Sequence, residues 1–165
     1  MIYVTVGTAI GGGEFDRLVK KIDDIAPNIG EDIIVQVGAS KYIPKNVRWF
    51  NYVSYDESLE YFKKARLVIG HCGSGTMINA LSFGVPLIVI PRRFKFAEHS
   101  DDHQVEIAKF LEQNRLAAVV YDIEDLEIVI RKMLNESSKL EYAKYLYNKQ
   151  HLINGIRNFL NSLER

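Results

Sequence analysis

The chain has 165 residues, enough for one domain with a substantial core, and its 47 % hydrophobic and 25 % charged residues are those of a globular protein. Lys+Arg and Asp+Glu are both 21, which excludes a global field for nucleic acid and leaves any basic patch local. The single cysteine, Cys72, excludes an internal disulfide and fits a reducing cytoplasm.

Residues 2–6 read as a first strand, followed by Gly7-Thr8 and a glycine-rich loop over 9–13. No signal peptide is expected, and no apolar run approaches the roughly 18–20 residues of a membrane span, so a membrane link is expected only through a partner or a peripheral contact. A helix over 15–26 carries Phe15, Leu18, Val19, Ile22 and Ile25 on one face, and Pro27, Asn28 and Gly30 are expected to close it. Residues 33–37 form a second strand and 39–46 a polar loop. In a third strand, over 47–52, Trp49 and Phe50 read as sheet-face packing rather than a stacking platform. Asp56 is expected to cap a helix through Leu59, Tyr61, Phe62 and Ala65.

Leu67-Val68-Ile69 is a short apolar run of the kind that forms a buried parallel strand. A turn with glycines at 70, 73 and 75 leads into a helix at Met77-Ile78-Asn79-Ala80-Leu81, which Gly84 and Pro86 stop, and residues 87–90 form the next strand. A loop over 92–101, a helix over 102–113, a strand over 117–121 and a helix over 122–134 follow. From 139 to 163 the pattern is again helical, with Leu146, Ile153, Ile156, Leu160 and Leu163 on one side, open to core packing or to docking of another chain. The alternation predicts one α/β domain over 1–165, a Rossmann-like, doubly wound, mainly parallel sheet with helices on both faces.

The chemistry of the 70–76 turn is anion binding. Glycines let backbone N–H groups approach a phosphate, and the helix beginning near Ser74 or Thr76 aims its free N–H groups and positive dipole end at the same place. Each such contact is worth roughly 0.3–1 kcal/mol. Ser74 and Thr76 offer hydroxyls, or one of them is simply the helix cap. The bland alternative is a tight strand-to-helix turn, since the spacing matches neither a Walker loop nor GxGxxG. Cys72 beside it reads as a packing residue rather than a nucleophile.

Arg92, Arg93 and Lys95, interleaved with Phe94 and Phe96, are open to several uses: neutralising a diphosphate, touching anionic lipid, receiving an acidic partner face, or a solvated charge cluster. Nucleic acid is not expected from one short loop on a neutral chain. His99, Asp101, Asp102 and His103 have the spacing of no common zinc site, and no metal is expected. Asp102, His103 and Gln104 at a helix start suit the hydroxyls of a sugar or ribose better.

Gly70-His71-Cys72-Gly73-Ser74-Gly75-Thr76, Asn79-Ala80-Leu81, Gly84 to Arg93 and Glu98-His99-Ser100-Asp101-Asp102-His103-Gln104 together resemble the donor-binding half of the GT-B glycosyltransferases of family 28. Within it the chain is most similar to small stand-alone subunits of the PssE type, which resemble the catalytic subunit of the eukaryotic dolichol-linked GlcNAc transferase. The resemblance implies a UDP-sugar donor, with its diphosphate on His71, Gly73, Ser74, Gly75, Thr76 and Arg92. It implies the nucleoside against Tyr52, Val53, Ser54 and Asn79, and the sugar against Asp102, His103 and Gln104, with Gly7 and Thr8 bordering the cleft. Asn79 departs from the acidic residue of many relatives: an amide still hydrogen-bonds a diol, without charge assistance.

The family's acceptor-binding half is expected to lie outside this chain, since 165 residues leave room for only one such domain. In similar two-chain systems it comes from a membrane-associated partner, which implies a hexosyltransferase of polysaccharide synthesis held peripherally at the inner face of the membrane. The resemblance implies no cofactor and assigns no catalytic base, for which His99 and His103 are the candidates on the chain. Two other readings use the same architecture, a UDP-sugar-binding module without catalysis and a UDP-sugar epimerase. A nicotinamide-dependent oxidoreductase fits poorly, because no acidic residue ends the 33–37 strand.

Overall fold

Strands and helices alternate along residues 1–7 and 14–135, the part of the chain described by the computed structural model. The strands are β1 (Ile2–Thr5), β2 (Ile33–Gln36), β3 (Arg48–Phe50), β4 (Leu67–Gly70), β5 (Leu87–Val89) and β6 (Ala118–Val119). The helices are α1 (Asp16–Ile29), α2 (Tyr55–Lys64), α3 (Ser74–Ser82), α4 (His103–Gln113) and α5 (Leu126–Asn135). Thr8, the 9–13 loop and the 139–163 helix expected from the sequence lie outside the described residues.

All strand pairs are parallel, in the order β3-β2-β1-β4-β5-β6. The winding reverses between β1 and β4, the switch point at whose carboxyl edge open parallel sheets form a crevice. Both faces are covered, which is why β1, β2, β4 and β5 are buried along their whole length and read as apolar runs. Ile2, Val4, Val35, Ile69 and Ile88 pack with Leu18 and Ile22 of α1 and Leu126 and Ile130 of α5. Tyr3, Val68, Leu87 and Val89 pack with Phe62 of α2, Met77 and Ala80 of α3, and Ala108 and Leu111 of α4.

Two local expectations are corrected. Helix α1 runs through Pro27 to Ile29 and ends at Gly30, whose φ of 70° gives a left-handed cap. Proline cannot donate to the carbonyl four residues back, and the freed Asp23 carbonyl accepts from Asn46 Nδ2 at 3.1 Å instead. Helix α2 is capped by Ser54, whose hydroxyl accepts from the Glu57 N–H at 3.2 Å, rather than by Asp56. Phe50 stacks on Tyr61 with centroids 5.1 Å apart, as expected of a packing residue, whereas Trp49 is 38 % exposed on the edge strand.

Candidate functional site

The crevice between β1 and β4 holds a cleft of about 380 Å³ lined by Thr5, Gly7, Gln36, Val53, Tyr55, Ser58, Phe62, His71, Gly73, Ser74, Gly75, Thr76 and Asn79. Its floor is a register row across the sheet. Thr5 pairs with Gln36 on one side and with Gly70 on the other, and Gln36 pairs with Phe50. Gly70 has to be bare: a Cβ there would stand 2.8 Å from Thr76 Cγ2 and 3.1 Å from the Thr5 carbonyl.

One wall is the start of α3. Its first backbone bond runs from Met77 N–H to the Gly73 carbonyl at 3.1 Å, so the N–H groups of Ser74, Gly75 and Thr76 stand ahead of the intrahelical ladder. Gly73 is the cap residue and no side chain caps the helix, so the positive dipole end faces the cleft. Ser74 and Gly75 are exposed, and a Cβ on Gly75 would meet nothing within 4 Å.

His71 is wedged between two glycines. A Cβ on Gly73 would lie 2.1 Å from its Nε2, and one on Gly7, where φ is +77°, would lie 2.4 Å from its Cε1. Burial above all, then the charges of Arg92 and His99, drags its pKa down to about 3, so the ring is neutral at pH 7. The Cys72 thiol is buried and pushed well above its ordinary range by desolvation, which suits a packing residue.

A hydroxyl network runs under the floor. The Gly7 N–H donates to Thr5 Oγ1 at 3.1 Å, Thr5 Oγ1 donates to Gln36 Oε1 at 2.7 Å, and the Tyr3 hydroxyl donates to the same oxygen at 3.2 Å. Burial raises the Tyr3 pKa and keeps that donor protonated. Opposite, Tyr55 Oη reaches Asn79 Oδ1 at 3.3 Å and bridges α2 to α3.

Gly7, Val53, His71, Gly73, Ser74, Gly75, Thr76 and Asn79 of the residues singled out from sequence thus line one cleft. Tyr52 lies beside it, 52 % exposed, and Ser54 is engaged as the α2 cap. The Arg92 guanidinium turns inward, donating to the Val6 carbonyl at 2.8 Å and the Glu98 carbonyl at 3.0 Å and lying over the Phe15 ring at 4.8 Å. Buried Gln104 accepts the Arg92 N–H at 3.0 Å, and Asp102 accepts the Phe94 N–H at 2.9 Å, so both fasten the 92–96 loop to the start of α4. Glu98 completes the fastening with a bidentate pair to Arg17 at 2.8 and 3.0 Å.

His99, Asp101 and His103 form a separate exposed cluster with ligand-capable atoms within 4.8 Å of one another. Both imidazoles turn on the Asp101 carboxylate, whose pKa the His103 N–H and ring hold below the ordinary range. Sequence reasoning missed Thr5, Gln36, Tyr55, Ser58 and Phe62. Thr5 and Gln36 carried a signal, as polar side chains at the ends of otherwise apolar strands.

Residues 1–156 match the glycosyltransferase family 28 C-terminal domain. The chain is 32 % identical over 120 residues to the UDP-N-acetylglucosamine transferase subunit ALG13 of Mus musculus, covering 66 % of this chain and 10 % of that protein. It is 29 % identical over 148 residues to the UDP-N-acetylglucosamine--N-acetylmuramyl-(pentapeptide) pyrophosphoryl-undecaprenol N-acetylglucosamine transferase of Trichodesmium erythraeum, covering 85 % of this chain and 38 % of that one. Among solved structures, Os79 from O. sativa in complex with UDP superposes with a TM-score of 0.65 at 17 % identity, over 88 % of this chain and 34 % of that one. This last likeness is one of fold, that of one half of a GT-B glycosyltransferase, and in every case the chain spans well under two thirds of its relative. Because the match runs from residue 1 to residue 156 and takes in every strand of the sheet and the turn that feeds α3, the chain belongs to glycosyltransferase family 28 and carries its C-terminal domain.

Proposed function

We propose that this chain is the donor-binding subunit of a two-chain glycosyltransferase that moves a sugar from a UDP-sugar to a lipid-linked saccharide acceptor. The observation that carries the reading is the cleft at the switch point, where the unladdered amides of Ser74, Gly75 and Thr76 face open space at the positive end of α3. When the sugar–phosphate bond breaks, negative charge grows on the leaving diphosphate. Amides already aimed at it stabilise that charge without reorganising. His71 serves as a neutral hydrogen-bonding wall, and the buried Arg92 charge, which helps to lower the His71 pKa, adds to the positive potential felt there.

None of the described residues lining the cleft is a carboxylate. That supports a base supplied by an acceptor-binding partner at the membrane, the source proposed here for activating the acceptor hydroxyl. The UDP-N-acetylglucosamine transferase subunit and the undecaprenol-linked transferase among the relatives support a UDP-sugar and a lipid-linked acceptor. Among the described residues no helix is long and apolar enough to cross a membrane, and the membrane link proposed is through the partner or a peripheral contact of the basic loop.

The test is calorimetric titration with a panel of nucleotide sugars, followed by a transfer assay with and without the membrane partner. UDP-sugar binding by this chain, with transfer only when both are present, supports the reading. Binding with no transfer in either case leaves a sugar-nucleotide-binding module, and a changed sugar on UDP with this chain alone makes it an epimerase.

A further inference from the structure

Gln36 is a carboxamide 7 % exposed at the end of a buried apolar strand, and only half of it is used by the fold. Thr5 Oγ1 accepts the Gly7 N–H and donates to Gln36 Oε1 at 2.7 Å, and the Tyr3 hydroxyl adds a second donor to the same oxygen at 3.2 Å. With Oε1 taken up by these two hydroxyls, Nε2 turns the other way. Neither Nε2 proton has a partner among the described residues, and the residue lines the cleft. A purely structural tie between β1 and β2 needs the oxygen alone.

We propose that Gln36 is a ligand-reading residue, whose Nε2 donates to an acceptor oxygen on the nucleoside half of the bound nucleotide. This rests on the UDP-sugar reading above. Position selects the half. Helix α3 rises from β4, and Gln36 ends β2, two strands away with β1 between, so roughly 10 Å separate them at the usual strand spacing. A diphosphate seated on the α3 amides leaves Gln36 beneath the next part of the ligand, on the side of Val53 and Tyr55. The donor pair suits a ribose hydroxyl or a base carbonyl and rejects a cation. Tyr3 and Thr5 are then positioning residues, acting through the amide they orient.

The test is titration of the chain with UDP and with inorganic pyrophosphate, for wild type, Gln36→Leu, Gln36→Glu and Tyr3→Phe, with thermal unfolding as the folding control. Gln36→Leu is expected to weaken UDP roughly tenfold while leaving pyrophosphate within about twofold. Gln36→Glu is expected to weaken UDP further, because a carboxylate replaces the donors. Tyr3→Phe keeps the amide and loosens it, and should cost roughly two- to threefold on UDP alone. If either Gln36 variant fails to fold, the Tyr3→Phe ratio of UDP to pyrophosphate loss decides. Equal losses on both ligands, or none on UDP, overturn the assignment of Gln36. Failure of wild type to bind UDP at all overturns the donor reading instead.

Discussion

The imidazole of His71 occupies the space that a side chain on Gly73 would take, with a Cβ there standing 2.1 Å from its Nε2. Gly73 has φ −88°, so alanine meets no backbone strain at this position and its whole cost is steric. Gly73→Ala is expected to displace the ring, to destabilise the fold by about 1–3 kcal/mol and to weaken UDP binding. Gly75→Ala is the control two residues on: nothing lies within 4 Å of its Cβ, and a helical glycine replaced by alanine gains about 0.5–1 kcal/mol. Urea unfolding midpoints for the two variants should move in opposite directions. A Gly73→Ala protein with the wild-type midpoint would show that His71 is not wedged.

The same wedge makes a pH prediction. His71 titrates at about 3 in the folded chain against its ordinary 6.5. The unfolded chain therefore takes up a proton that the folded chain refuses as pH falls through 6.5. Stability is full above that value and declines on acidification toward the folded pKa, with a slope approaching 1.4 kcal/mol per pH unit for one proton. Replacing the group removes this part of the acid sensitivity. Urea midpoints at pH 7 and pH 5 should differ less for His71→Asn than for wild type, and an equal difference would place the ring in water.

The strand–glycine turn–helix geometry of β4 and α3 was legible in the sequence because its physics is local: glycines, a strand ahead and a helix behind specify it in about ten residues. The sheet was legible because its central parallel strands, covered on both faces, are apolar along most of their length. Elements whose ends depend on tertiary partners were not. Pro27 reads as a stop, but the fold supplies Asn46 for the carbonyl that proline strands, and α1 continues. Asp56 and Ser54 are equally good caps on paper, and only backbone geometry selects Ser54. Thr5 and Gln36 lie 31 residues apart and become a cleft floor only through strand register.

The loop over 92–96 is held by ionic and amide contacts rather than by apolar packing, which predicts where it breaks. The Glu98 side chain, 5 % exposed, accepts Arg17 through both oxygens and also the Arg93 N–H at 3.0 Å. Removing one partner of a buried pair leaves the other charge uncompensated, so Glu98→Ala is expected to cost about 3 kcal/mol. Arg17→Met with Glu98→Leu removes both charges, and should recover part of that loss. A Glu98→Ala protein within about 0.5 kcal/mol of wild type by urea unfolding would mean that the pair is solvated, as exposed bridges are.

The two branches of Thr76 can be tested separately, the methyl for the fold and the hydroxyl for the proposed ligand. Its methyl packs on the bare Cα of Gly70, where a Cβ would come within 2.8 Å, while the residue lines the cleft at the start of α3. Thr76→Ser deletes the methyl and should cost about 1 kcal/mol of stability with UDP binding nearly intact. Thr76→Val deletes the hydroxyl and keeps the methyl contact. It should hold the unfolding midpoint and lose roughly three- to tenfold in UDP affinity, the worth of one hydrogen bond. Affinity that follows the methyl instead of the hydroxyl would mean that the α3 amides hold the diphosphate without help from this side chain.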